Sequence, residues 1–189
     1  MSKIVLDFVL YLGDPDEGAE AVRSGAALDV VADHKEALQF PDVYGAIVFF
    51  DESGKEMCAR KPDPIFQLVT NMVKTVPYII EGEAETTLLS ESENGLIFEP
   101  SGDDVHVSYF AGDAYEPDGF IQDPTQMSIA DFGEQILSMG ERLEAIMKKI
   151  DPDIFERDDY TKSLQEFLEV GREAHKTFQL EVERGLRVQ

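Results

Sequence analysis

A chain of 189 residues is long enough for one domain with a hydrophobic core, and its 43% apolar and 29% charged residues are typical of globular proteins. Its 39 acidic residues outnumber its 16 basic ones, so the formal net charge is −23. This balance argues against binding the phosphates of a nucleic acid or of an anionic membrane, because both need clustered Lys and Arg.

The sequence begins with an apolar run from Ile4 to Leu12 that contains Asp7. This run is far shorter than the roughly 20 residues that span a bilayer, and a turn at residues 13–16 follows it where a signal peptide would have a cleavage site. The only cysteine, Cys58, cannot form an intramolecular disulfide, which fits a reducing compartment. We therefore expect a cytoplasmic protein that does not enter a membrane.

The first half of the chain is expected to contain strands and short helices. Alternating apolar residues from Ile4 to Leu12 predict a strand, in which Asp7 either faces water at a sheet edge, the favoured alternative, or is buried with a partner. The Ala-rich residues 17–38 predict one or two short helices. Two extended runs, 44–50 and 55–60, flank a Gly-containing turn and predict a hairpin.

The next segment predicts a helix followed by a meander. Asp63 and Pro64 are expected to cap and open the helix, and Pro77 is expected to end it. Three strands are then predicted, joined by turns at Asn94-Gly95 and at residues 100–103. Their expected ranges are 84–91, 96–99 and 105–110.

The last third predicts two long helices. Residues 112–126 are expected to form a loop that ends the sheet, after which Ser128 and Asp131 approximate a capping box. The second helix begins near Thr161 and places His175 on its apolar stripe, where a hydrogen-bonded core histidine is expected. We therefore predict a single α+β domain over residues 1–189, with a mainly antiparallel sheet of about five to six strands and helices on one face.

The negative charge is concentrated in the middle of the chain. The 67 residues between Lys74 and Arg142 contain 15 acids and no base, whereas the other 122 residues contain 24 acids and 16 bases. Acids gathered on one surface would lie near or within the Debye length of about 8 Å and would build a field that steers a basic partner. The alternative is that these acids are solvated side chains that keep the protein soluble.

Aromatic residues lie among these acids and could supply the buried anchors that a purely charged surface lacks. The predicted partner-binding residues are Asp103, Asp104, Tyr109, Asp113, Tyr115, Glu116, Asp118, Phe120 and Asp123.

Metal binding is the alternative for the same segment. Asp113, Glu116, Asp118 and Asp123 are four carboxylates within eleven residues and are weak candidates to bind Ca²⁺ or Mg²⁺, although the EF-hand spacing is absent. The chain would then be a divalent-cation-dependent enzyme or sensor. No dinucleotide, P-loop, zinc or nucleophile motif is present, so we expect no cofactor and favour a function other than catalysis.

The sequence thus predicts an acidic binding protein that engages a basic protein partner. In size and charge alone, the chain is similar to bacterial immunity proteins, which block the basic active site of a toxin nuclease. The identity of the partner and the oligomeric state stay open.

Overall fold

The computed structural model describes residues 4–113 and 116–186, and it has the predicted α+β architecture. Its strands form two four-stranded antiparallel sheets. Sheet A has the spatial order β2-β1-β3-β4 and consists of β1 (Val5–Tyr11), β2 (Ala21–Arg23), β3 (Tyr44–Phe50) and β4 (Asp63–Pro64). Sheet B has the order β5-β6-β7-β8 and consists of β5 (Glu85–Leu88), β6 (Asn94–Ser101), β7 (Asp104–Gly112) and β8 (Pro117–Ser128).

Within the described residues, three long helices pack on one another, and the first two of them also pack on both sheets. The helices are α1 (Ser24–Val30), α2 (Ile65–Glu81), α3 (Ile129–Ile150), α4 (Ile154–Arg157) and α5 (Asp159–Glu183), with short 3-10 helices at Pro15–Glu17 and Val31–His34. The rings of Phe49 in β3 and Tyr109 in β7 stack with centroids 6.3 Å apart, and Phe98 contacts Phe132 of α3 at 5.2 Å. One hydrophobic core therefore joins both sheets to the helices.

The start of α3 and the end of α2 test two helix boundaries that were predicted from local sequence signals. Ser128 caps α3, since its side chain accepts a hydrogen bond from the Asp131 backbone N–H at 3.0 Å, as predicted. The expectation that Pro77 ends α2 is wrong, because the helix continues to Gly82, whose φ of 89° suits glycine. The extra turn buries Ile79 and Ile80, so core packing outweighs the local cost of proline.

Sheet B also differs from the sequence-based prediction in two places. Residues 112–126 were expected to be a loop, but β8 occupies most of them as an edge strand, where proline is tolerated. Asn94 and Gly95 were expected to form a turn, but they begin β6, and the turn lies before them. The predicted turn at residues 100–103 is present, since Ser101 pairs with Asp104.

Asp7, the acid within β1 of sheet A, is held in the less favoured of the two predicted ways, with a partner rather than facing water. Asp7 Oδ1 accepts hydrogen bonds from the Ser24 hydroxyl at 2.6 Å and from Arg142 at 3.0 Å, and its side chain is only 18% exposed. The edge position is nevertheless partly right, because β2 pairs with β1 only from Val9 onward. The predicted 55–60 strand is reduced to one bridge between Phe50 and Glu56.

The predicted core histidine is confirmed. His175 is 2% exposed, and its Nε2 lies 2.9 Å from the Ala130 carbonyl oxygen, so the ring links α5 to the start of α3.

Candidate protein-binding site

The outer face of sheet B, opposite the helices, carries a row of apolar residues across all four strands. Leu88 pairs with Gly95, Gly95 with Phe110 and Phe110 with Phe120, so the four residues lie side by side in one register. Leu88 is 57% exposed and Phe120 50% exposed, while Phe110 between them is fully buried. We call these four residues the outer row. Exposed apolar residues in contiguous order are a feature of interaction surfaces.

Gly95 creates the space that lets the outer row pack. A Cβ atom on Gly95 would lie 2.7 Å from Cζ of Phe110, so the Phe110 ring lies directly against this glycine. The aromatic ring covers the gap that the missing side chain leaves between β5 and β7. This contact contributes to the burial of Phe110 on a face that the helices do not cover.

Five acids lie at the end of sheet B next to the outer row. Four belong to the turns between β5 and β6 and between β7 and β8, and the fifth lies at the start of β8; the two turns share one end because Asn94 pairs with Ala111. The two turns are separated by about two strand spacings, or about 10 Å, which is close to the Debye length of about 8 Å. We call this group the acidic end, and its members are Glu91, Glu93, Asp113, Glu116 and Asp118. All five side chains are exposed.

Basic residues do little to neutralise this charge. Within the described ranges, no Lys or Arg forms a salt bridge with Glu91, Glu93 or Asp118. Two other acids of the base-free stretch, Glu134 and Glu141, pair with Arg172 at 2.8 and 2.6 Å, but both lie on α3. Among the described residues, Glu91, Glu93 and Asp118 therefore present carboxylates that no Lys or Arg neutralises.

Asp63 fixes the position of the turn that carries Glu91. Its Oδ1 accepts hydrogen bonds from the backbone N–H groups of Ser90 at 2.8 Å and Glu91 at 2.9 Å. Asp63 was predicted to cap α2; instead it joins sheet A to the β5–β6 turn, and α2 begins without a side-chain cap. Burial raises the pKa of this carboxyl, and its Oδ2 has no hydrogen-bond partner in the described part of the chain.

Glu91 also borders a cavity of about 680 Å³ that extends the negative surface toward sheet A. Two tyrosines and three further acids line it, namely Tyr11, Tyr44, Asp14, Asp16 and Asp42. Partial burial and the neighbouring Glu91 carboxylate raise the pKa of Tyr44, so its hydroxyl stays protonated near neutral pH. Carboxylates and aromatic rings around one cavity suit a cationic side chain.

The nine predicted partner-binding residues do not all lie on one surface. Asp113, Glu116, Asp118 and Phe120 are brought together at the acidic end and the outer row. Asp103 and Asp104 lie at the opposite end of the β6–β7 hairpin, about 24 Å away by strand length. Asp123 is exposed on β8, and Tyr115 lies outside the described residues.

Tyr109 does not belong to the candidate binding surface. It was predicted to contact a partner, but it is 1% exposed on the inner face and stacks on Phe49, so no partner can reach its ring. Burial raises the pKa of its hydroxyl strongly.

The four metal-ligand candidates do not converge in the described structure. No group of three or more His, Cys, Asp or Glu side chains in residues 4–113 and 116–186 is arranged to hold a metal ion. Asp118 and Asp123 lie on β8 rather than in one ligand loop, with Phe120 between them.

Sequence reasoning missed Leu88, Glu91 and the cavity acids. Leu88 could have been found from the alternation of side chains along the strand. Thr86 and Leu88 lie on one face, and Glu85 and Thr87 lie on the other. Asp14, Asp16 and Asp42 carry no comparable signal, because only tertiary packing brings them to Glu91.

No protein-family model, curated protein or solved structure matches this chain. The helices within the described ranges include none with the length and apolar character needed to cross a bilayer.

Proposed function

We propose that this chain is a binding protein that engages a basic protein partner through the outer row and the acidic end. The observation that carries the proposal is the adjacency of exposed Leu88 and Phe120 to five exposed carboxylates on one end of one sheet. Apolar anchors supply binding energy, and the surrounding charge selects a basic partner and speeds its approach.

The cavity beside Glu91 adds a receptacle for the partner's charge. A lysine or arginine side chain entering it would meet the Glu91, Asp14 and Asp42 carboxylates and the rings of Tyr11 and Tyr44. If the partner is a nuclease, as the immunity-like interpretation predicts, these carboxylates would occupy the place of substrate phosphates. The divalent-cation alternative gains no support from the positions of its candidate ligands.

The test uses a fluorescein-labelled decapeptide that alternates lysine and valine as a basic probe. We expect the double substitution Leu88→Ser and Phe120→Ser to weaken probe binding about tenfold, because two exposed anchors are lost. The matched control is Val170→Ser on α5, since Val170 is as exposed as Leu88, at 57%. Fluorescence anisotropy gives the dissociation constants.

Equal weakening by the control, or unchanged binding by the double variant, would contradict a role for the outer row. Both variants alter exposed side chains, so their unfolding free energies should stay within about 0.5 kcal/mol of the native value.

A further inference from the structure

A second cavity, of about 570 Å³, lies between α2 and the edge strand β5. All six consecutive residues 85–90 line it. A cavity on one face of a strand would contact alternate residues only, so this one runs along the unpaired edge of β5. Its other wall is one stripe of α2, formed by Gln67, Asn71, Lys74, Thr75 and Tyr78.

The backbone of β5 has hydrogen-bonding groups directed to this edge. The Leu89 N–H bonds the Asn94 carbonyl at 2.9 Å, and antiparallel strands alternate between pairs that exchange hydrogen bonds and pairs that do not. Glu85 and Thr87 therefore bond β6, while the N–H and C=O groups of Thr86 and Leu88 point away from it.

The β5 edge also lacks the usual protection against strand addition. At the other edge of sheet B, β8 contains Pro117 and Pro124 and has register shifts against β7. Strand β5 contains neither a proline nor a register shift. In addition, Thr87 lines the cavity at 2% exposure, and its hydroxyl has no hydrogen-bond partner among the described residues.

Charge selects the occupant of this edge. Exposed acids precede and follow β5, at Glu81 and Glu83 and at Glu91 and Glu93, and Lys74 is the one base among the described residues that line the cavity. Two copies of the chain paired through β5 would bring these like charges together, which disfavours a dimer at this edge. An extended segment carrying Lys or Arg is electrostatically complementary to it.

We infer that the partner inserts a basic, extended segment of about six residues, which pairs with the open edge of β5 as a fifth strand of sheet B. Alternate side chains of the added strand would face Glu85 across the cavity or continue the outer row beside Leu88. The inference rests on the proposed function, because that function supplies the basic partner.

The test compares two peptides of equal charge on the native chain. One is the lysine–valine decapeptide, and the other carries N-methyl groups on its backbone nitrogens along both edges, so neither edge can donate hydrogen bonds to β5. We expect methylation to weaken binding at least about tenfold. We also expect the exchange of the Thr86 and Leu88 amide hydrogens to slow when the unmethylated peptide binds.

Two substitutions of Thr86 test the same edge by changing the protein instead of the peptide. Thr86→Pro removes an outward N–H that β6 does not use, whereas Thr86→Val keeps this group and a β-branched side chain. We expect about tenfold weaker binding for Thr86→Pro and less than a twofold change for Thr86→Val. If Thr86→Pro does not fold, the comparison of the two peptides on the native chain still decides.

The remaining outcomes separate the two proposals. If both peptides bind equally and salt still weakens them, strand addition is overturned and the acidic surface remains. If neither peptide binds at low salt, the proposed function fails as well. A concentration-dependent dimer that Thr86→Pro abolishes would assign the edge to a second copy and overturn the inference.

Discussion

The Phe110 ring lies against Gly95, and this single contact sets the packing of the outer row. A methyl group on Gly95 would meet the Phe110 ring at 2.7 Å and the Thr87 backbone oxygen at 2.8 Å. Because one of these neighbours is backbone, relief requires β5 and β6 to shift.

We therefore predict that Gly95→Ala lowers the free energy of unfolding by about 1–3 kcal/mol. Gly25→Ala in α1 is the control, because its added methyl meets nothing within 4 Å and should be neutral or slightly stabilising. Urea denaturation of both variants measures the difference. Equal stability of the two variants would mean that the ring and the β5 backbone adjust without cost.

Asp63 is the second residue with a predictable effect on stability, in this case on how stability depends on pH. Its carboxyl is 0% exposed, and burial raises its pKa above the value in the unfolded chain. The folded state therefore binds the proton more tightly, so this group favours folding below its unfolded pKa, and that contribution is lost as pH rises through the folded pKa.

We predict that the native chain gains stability relative to Asp63→Asn as pH falls from neutral through the folded pKa of Asp63. Asparagine keeps an oxygen to accept the Ser90 and Glu91 N–H bonds but does not titrate. Urea denaturation of both proteins across this pH range measures the difference. A difference that is constant with pH, or that changes in the opposite direction, would show that burial does not raise this pKa.

At the level of elements, the Gln135 side chain of α3 bonds backbone groups along the exposed edge of β1. The Gln135 side-chain oxygen accepts a bond from the Leu6 N–H at 2.7 Å, and its amide nitrogen donates to the Ile4 carbonyl at 3.2 Å. The amide thus takes the place of a neighbouring strand where β2 does not reach.

We predict that Gln135→Ala costs about 1–3 kcal/mol, because backbone groups beside the core lose their partner. Gln179→Ala, at an exposed position on α5, should change stability by less than about 0.5 kcal/mol. Thermal and urea unfolding test both variants. A cost for Gln135→Ala no greater than for Gln179→Ala would mean that water replaces the amide.

The elements also show what sequence patterns can and cannot predict. Strands β1, β6 and β7 follow apolar alternation, and α3 follows its Ser128 cap, so local signals sufficed for them. Strand β8 was missed because Pro117 and Pro124 are typical of loops, yet an edge strand tolerates them. Pro77 misled in the same way, since buried residues beyond it keep α2 helical.

On the scale of the whole molecule, the sequence predicted that the negative charge is concentrated but not which acids become neighbours. The β5–β6 and β7–β8 turns share one end of sheet B because of strand register, and Asp14 and Asp42 line one cavity with Glu91. Glu134 and Glu141 belong to the same base-free stretch, but Arg172 from α5 holds them. Tertiary contacts thus decide which acids of this stretch pair with Arg172 and which lie at the acidic end.

The charge account is tested by two triple variants with the same net charge. Glu91→Gln, Glu93→Gln and Glu116→Gln neutralise the acidic end, whereas the control set neutralises three exposed acids of α5, namely Glu166→Gln, Glu169→Gln and Glu173→Gln. If only the net charge of −23 attracts basic partners, the two triple variants must behave alike.

The most direct measurement is the association rate constant of the lysine–valine decapeptide, obtained by stopped-flow fluorescence at low and physiological salt. We predict that salt slows association of the native chain and of the α5 variant at least about tenfold, and that the acidic-end variant associates slowly at low salt with little further salt effect. Indistinguishable rates for the two triple variants, or a native rate that salt does not change, would contradict an acidic end that steers a basic partner.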